Sequence, residues 1–185
     1  MEDGRVLKTA VLLAAWAWLP ASAEECFRVG GDNGSVSFEV KQAGAPFHGK
    51  FRSFGGEICL SEHRSTRIDV WLDPATVEAG LPEIDAALKD RDFFAVDQYP
   101  RVTYTSRSVE ARGSTELAHG MLEIKGKRYD LAVPFSLQSE GDATTVSGTL
   151  TLIRLKYGVG IGEWSNTQWL GGEVNVQFRA TLSAK

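Results

Sequence analysis

The chain has little of what catalytic and metal-dependent chemistry uses. Its 185 residues include only two cysteines, two methionines and three histidines. His48, His63 and His119 are scattered, and none is spaced with a second ligand as a metal site requires, so no metal is expected. The two histidines before glycine, His48 and His119, read as strand-end residues. No Gly-x-Ser-x-Gly elbow occurs and no cysteine–histidine arrangement suggests a nucleophile, so no catalytic residue is assigned and an enzyme is not expected. Asp69, Asp73 and Asp92 fall at strand-exposed or loop positions, where solvated surface charge is their expected role. The charge balance, 20 Lys and Arg against 24 Asp and Glu, contains no basic cluster able to neutralise a row of phosphates. Nucleic acid is therefore not an expected partner. Nor is there a basic amphipathic helix to lie on an anionic membrane.

Long hydrophobic runs are also lacking, with one short exception. Arg5 and Lys8 precede the apolar stretch from Ala10 to Leu19, Pro20 breaks it, and Ala21-Ser22-Ala23 has the small-x-small form of a signal-peptidase site. The run is about half the ~20 residues needed to span a bilayer. Residues 1–23 are therefore expected to be a signal peptide cleaved after Ala23, with the mature domain at 24–185 in the periplasm or secreted. Cleavage leaves about 160 residues, a comfortable length for one domain with a real core. No repeat or linker divides it.

What is abundant is period-two alternation, the pattern of strands with one buried and one wet face. Val36, Phe38 and Val40 alternate with polar residues, as do Ile68, Val70 and Leu72. Val102, Tyr104 and Ser106 follow, then Gly120, Leu122 and Ile124, and Leu131, Val133 and Phe135. Val146, Gly148, Leu150 and Leu152 form the next set, and Val174, Val176, Phe178, Ala180 and Leu182 the last. Turn signals at Asp32-Asn33-Gly34, Gly55-Gly56, Gly126-Lys127, Glu140-Gly141-Asp142 and Gly171-Gly172 separate the runs at short intervals. The expected fold is all-β, about eight meandering antiparallel strands closing a barrel, with a two-sheet sandwich as the alternative. One short helix, roughly residues 82–90, should flank it: Pro82 suits its first position, Glu83 its positive end, and Ile84, Ala87 and Leu88 share a face.

Cys26 and Cys59 fall on the outward parity of their strands. In an exported chain a disulfide between them is chemically permitted, with two unpaired buried thiols as the alternative. Asn33-Gly34-Ser35 matches a glycosylation acceptor but reads as a turn. Gly158-Val159-Gly160-Ile161-Gly162 lacks the strand–turn–helix context of a nucleotide loop and reads as a flexible connection. Arg154 continues the inward series of its strand. A guanidinium there should pair with an acid at the rim or meet an anionic head group.

Taken in order, several fragments resemble the YceI-like family of lipocalin-like bacterial proteins. They are Ser35 to Lys41, Gly49 to Gly56, Asp92-Phe93-Phe94-Ala95-Val96-Asp97-Gln98-Tyr99-Pro100, Val102 to Ser106, Gly120 to Gly126, Arg154 to Gly160, and Gly171 to Val174. The resemblance runs from about Phe27 to Leu182. Two places depart from it: Lys156-Tyr157 stands where the family often has an acid followed by Phe, and Gln42-Ala43 where it often has a His-Gly or similar pair. The resemblance implies an extended barrel around a long hydrophobic channel that binds polyisoprenoid amphiphiles, quinone-like or prenyl-phosphate-like. On that basis the expected ligand is an isoprenoid lipid or quinone, with transient membrane or membrane-protein contact as its exchange route and no other cofactor.

The expected lining comprises Phe38, Val40, Ile68, Val70, Tyr104, Leu122, Leu150, Leu152, Val176 and Phe178. Arg154, Tyr157 and Trp164 are the candidates for the channel mouth. The competing reading is a barrel filled by these same side chains, serving as a non-catalytic stress-response or interaction protein.

Overall fold

A computed structural model describes residues 24–183. The expected signal peptide and its cleavage site lie outside the described residues.

Eleven strands form one antiparallel sheet: β1 Glu25–Gly30, β2 Gly34–Gln42, β3 Ala45–Phe51, β4 Phe54–Ser61, β5 Arg64–Leu72, β6 Val77–Glu78, β7 Val102–Arg112, β8 Thr115–Ile124, β9 Lys127–Glu140, β10 Ala143–Ile153 and β11 Leu170–Ser183. Their order across the sheet is β1-β4-β5-β7-β8-β9-β10-β11-β2-β3-β6. The all-β, barrel-like class is as expected, but the strand number corrects the estimate of about eight. The added strands are those whose alternation is blunted. Gly49 interrupts the apolar face of β3, and β6 has only two residues.

The sheet curls on itself as a half-barrel, so that β1 comes against β2 and β11. Its two edges, β1 and β6, are not laddered to each other. Asn33 stitches this approach. Its Oδ1 accepts from the Gly30 amide at 2.8 Å, and its Nδ2 donates to the carbonyls of Arg28 at 2.9 Å and Thr181 at 3.1 Å.

Several turns fall where their backbone chemistry allows and not where glycine pairs suggested. Glu62-His63 and Lys125-Gly126 take positive φ at both central positions of two-residue hairpins. Gly55-Gly56 instead lies within β4, where a Cβ on Gly56 would meet the Asp69 carbonyl oxygen at 2.1 Å. Gly171-Gly172 likewise sits inside β11, at a register shift between Leu170 and Val174. His48 and His119 are mid-strand, 3.5 and 3.6 Å from Glu39 and Glu110 on neighbouring strands, and not at strand ends.

Cys26 and Cys59 are directly opposed on β1 and β4 and joined by a disulfide. Cys59 lies on the face opposite Ile58 and Leu60, yet it is completely buried while Cys26 is exposed. The partner sulfur and the Arg67 guanidinium, whose Nη2 is 3.3 Å from Cys59 Sγ, help cover it.

The helix α1, Pro82–Lys89, has Pro82 in its first turn, acidic Glu83 and Asp85 at its positive end and Lys89 at its negative end. Asp85 also accepts from the Ala79 amide at 2.6 Å, tying the helix to the chain leaving β6. Ile84, Ala87 and Leu88 turn toward the curled sheet.

Candidate functional site

The inward face of the sheet, with α1 and the segments at 93–94 and 154–170, encloses a cavity of about 520 Å³. That is within the roughly 300–1,000 Å³ of sites that take a small organic ligand. Its wall is almost wholly aliphatic and aromatic. A barrel filled by its own side chains is not what these residues form.

All ten residues expected to line the interior face this cavity. Cross-strand register groups them into two walls, because residues paired across an antiparallel ladder share a face. One wall runs Val70–Tyr104–Leu122 across β5, β7 and β8, with Ile68 beside it. The other runs Leu150–Val176–Phe38 across β10, β11 and β2, with Leu152, Phe178 and Val40 alongside.

Three glycines explain why large aromatics leave the lumen open. A Cβ on Gly49 would meet the Phe38 ring at 2.3 Å, one on Gly120 the Tyr104 ring at 2.8 Å, and one on Gly148 the Phe178 ring at 2.5 Å. Each ring thus occupies the space a side chain would fill on a neighbouring strand. Gly120 and Gly148 carry inward parity in the sequence, so this signal was legible; Gly49 lies in a strand the alternation did not reveal.

Several lining aromatics escaped the alternation altogether. Phe51 packs between Phe38 at 5.6 Å and Phe94 at 5.8 Å, and Phe93 packs on Trp164 at 5.5 Å. Phe93 and Phe94 sit in no strand. Their backbone amides donate to the carbonyls of Asp90 and Leu88 at the end of α1, which winds the segment back over the cavity. Only the resemblance to the family's Asp-Phe-Phe motif singled them out.

The three mouth candidates all border the cavity, but Arg154 does so differently from expectation. It leaves β10 at the start of a 3₁₀ turn, Arg154–Tyr157, and only 4% of its surface is exposed. It pairs with neither an acid nor an open mouth. Its Nε donates to Gly171 O at 2.7 Å, Nη1 to Val159 O at 3.0 Å and Gly160 O at 2.5 Å, and Nη2 to Trp164 O and Leu170 O, both at 2.7 Å. Every N–H of the guanidinium is thus directed at a backbone carbonyl. Burial lowers its pKa, the effect of removing a cation from water. The glycine-rich stretch read as a flexible connection is therefore pinned, with further bonds from the Gly160 and Ile161 amides to Asp92 O at 2.8 and 3.0 Å.

Tyr157 is 2% exposed and meets the Tyr129 ring edge-on, 5.3 Å between centroids. Trp164 is half-buried over Phe93. Tyr104, buried on the opposite wall, donates its hydroxyl to Ala118 O at 2.9 Å and also lies 3.4 Å from Leu131 O. Desolvation pushes its pKa up to about 12. Neither histidine nor cysteine lines the cavity. Among the described residues, the acid and sulfur atoms of Glu24, Cys26 and Cys59 come together, but both sulfurs are committed to the disulfide.

The model of the YceI-like domain matches residues 27–182, nearly all of the described chain. The chain belongs to the YceI-like family. It is 24% identical over 135 residues to a UPF0312 protein of Photorhabdus laumondii, covering 71% of this chain and 69% of that one. It is 25% identical over 115 residues to protein YceI of Salmonella arizonae, covering 60% of each. Among solved structures it is similar to BcnA of Burkholderia cenocepacia, with a TM-score of 0.80 and 26% identity over 84% of this chain and 99% of that one. A polyisoprenoid-binding domain from Saccharophagus degradans, implicated in plant cell wall breakdown, shares the fold with a TM-score of 0.68 at 15% identity, over 87% of this chain and all of that domain.

Proposed function

We propose that this YceI-like protein binds a long-chain isoprenoid amphiphile, a quinone or a polyprenyl phosphate, in its apolar cavity, and carries or stores it without chemical change. The observation that carries this reading is the open, apolar lumen of about 520 Å³. Such a lumen rewards length: each five-carbon unit taken from water contributes roughly 2 to 4 kcal/mol before ordering costs, more than a single polar contact. A bilayer solvates the tail almost as well, so exchange between protein and membrane is close to balanced, as a carrier requires. The ligand class named for the Saccharophagus domain supports the reading by analogy of fold. The signal-like start supports a place in the periplasm or outside the cell, where a membrane lipid needs a soluble vehicle.

Native mass spectrometry of the protein purified from its own host tests this. A co-purified lipid of defined mass is expected. Protein that arrives empty and takes up neither an added isoprenoid quinone nor a prenyl phosphate would overturn the proposal.

A further inference from the structure

Large apolar side chains that face water are few, and they are not spread over the molecule. Among the described residues they are Leu81, Ile153, Ile161 and Trp169, exposed by 56, 48, 38 and 54%. All four belong to the segments at one end of the barrel. Ile153 ends β10, opposite Glu173 of β11, and Ile161 and Trp169 stand on the connection between those two strands. Leu81 immediately precedes α1, whose Ile84 and Leu88 share one apolar cluster with Phe93, Trp164 and Leu170. At the far end of β10, the exposed turn Glu140-Gly141-Asp142 holds no apolar side chain.

This exposure does not come from loose backbone. The Ile161 amide donates to Asp92 O at 3.0 Å, the Trp169 amide donates to Asn166 O at 3.1 Å, and Trp169 O accepts from the Ala43 amide at 2.7 Å. Trp164 and Leu170, on the same stretch of chain, line the lumen. The connection therefore presents apolar groups both ways, inward to the cavity and outward to solvent. One exposed apolar residue is ordinary surface, but the gathering of all four at one end marks a contact face.

The kind of partner follows from how little area they offer. A stable protein interface covers about 800 Å² on each side, far more than four half-exposed side chains interrupted by Ser165-Asn166-Thr167-Gln168 provide. A bilayer interface demands no matching contiguous patch, and it takes an indole at headgroup level with aliphatic side chains beside it. Exposed charges around this end are mixed, Lys41 and Arg91 against Glu83, Asp90 and Glu163, so the attraction is apolar and indifferent to lipid charge.

We propose that this end of the barrel docks transiently on a lipid bilayer, with Trp169, Ile161 and Leu81 entering the headgroup region and the α1 side of the lumen set against the membrane. That a lumen ligand passes between bilayer and protein here rests on the isoprenoid reading above; the docking itself does not.

The test floats the mature protein with phosphatidylcholine vesicles and with vesicles in which part of the lipid is phosphatidylglycerol. Wild type should float with both at millimolar lipid and stay bound in high salt. Trp169→Ser/Ile161→Ser should bind about tenfold more weakly, Leu81→Ser should also lose affinity, and the polar control Gln168→Ser should match wild type. Thermal melts of all variants should coincide with wild type, because the replaced side chains face water. Trp169 fluorescence, isolated in Trp71→Phe/Trp164→Phe, should shift to the blue on vesicles and be quenched by brominated acyl chains. Wild type that stays in solution with both vesicles, or a double variant that floats as well as wild type, overturns the inference. So does flotation that needs the anionic lipid and vanishes in salt, or a wild-type dimer that the double variant dissolves, which would assign the face to a second copy. Transfer of an isoprenoid quinone from vesicles to the protein should slow in the double variant. Docking without any uptake of the quinone would overturn the isoprenoid reading and leave this one standing.

Discussion

Arg154 Nη2 donates to the backbone carbonyl of Trp164 at 2.7 Å, and the indole of that same residue packs 5.5 Å from Phe93 across the cavity rim. One buried guanidinium thereby positions an aromatic wall it does not touch through its own side chain. Its remaining bonds reach Val159, Gly160, Leu170 and Gly171, so the whole segment between β10 and β11 is gathered around a single cation.

Arg154→Met is expected to lower stability by about 3 kcal/mol or more, because hydrogen bonds from a charged donor are lost and their carbonyls orphaned together. Arg154→Lys, with three donors for five acceptors, should fall between. Urea denaturation gives the magnitude. Amide hydrogen exchange should quicken first within residues 158–171; uniform quickening across the sheet would argue against the clasp.

Opening the Cys26–Cys59 disulfide should cost roughly 3 to 4 kcal/mol on the loop-entropy estimate for a separation of 33 residues. The double variant Cys26→Ser/Cys59→Ser should match wild type in reductant, and only untreated wild type should show the extra stability. Thiol titration of the denatured, unreduced mature protein should find no free thiol.

Gly49→Ala should destabilise by about 1 to 3 kcal/mol, the usual range for overpacking, since the new methyl carbon would lie 2.3 Å from the Phe38 ring. Relief requires that ring to swing into the lumen, so affinity for an isoprenoid should fall as well. Trimming the ring in Gly49→Ala/Phe38→Leu should recover much of both. Loss of stability with unaltered affinity would show that the ring yields in some other direction.

Glu116 is an inward-parity carboxylate on β8, 7% exposed, accepting from the Ser65 amide at 3.1 Å. Desolvation raises its pKa against the smaller opposing effects of Ser65 and Arg64. A carboxyl raised on folding binds its proton more tightly in the native state. Its penalty is therefore absent below the unfolded value, about pH 4.3, and grows as pH rises through the window up to the folded pKa. Glu116→Gln, which can still accept from Ser65, should be more stable than wild type at pH 7 and equal to it at pH 4. Thermal melts at the two pH values check the sign.

The sequence determined by itself the features that depend on local order. Alternation named the inward faces of β2, β5, β7, β8, β9, β10 and β11, and Pro82 with Glu83 marked α1, because strand parity and helix termini are properties of neighbouring residues. Even Gly120 and Gly148 could be placed inward. Tertiary structure decided what depends on residues far apart. That β1 closes against β11 through Asn33, that Cys59 is buried on an outward parity, and that Phe93 and Phe94 fold back over the lumen follow from contacts no periodicity encodes. Arg154 shows the division most clearly. Parity brought it to the interior, but only the return of the chain from 159 to 171 supplied five carbonyls, turning an expected mouth cation into a buried clasp.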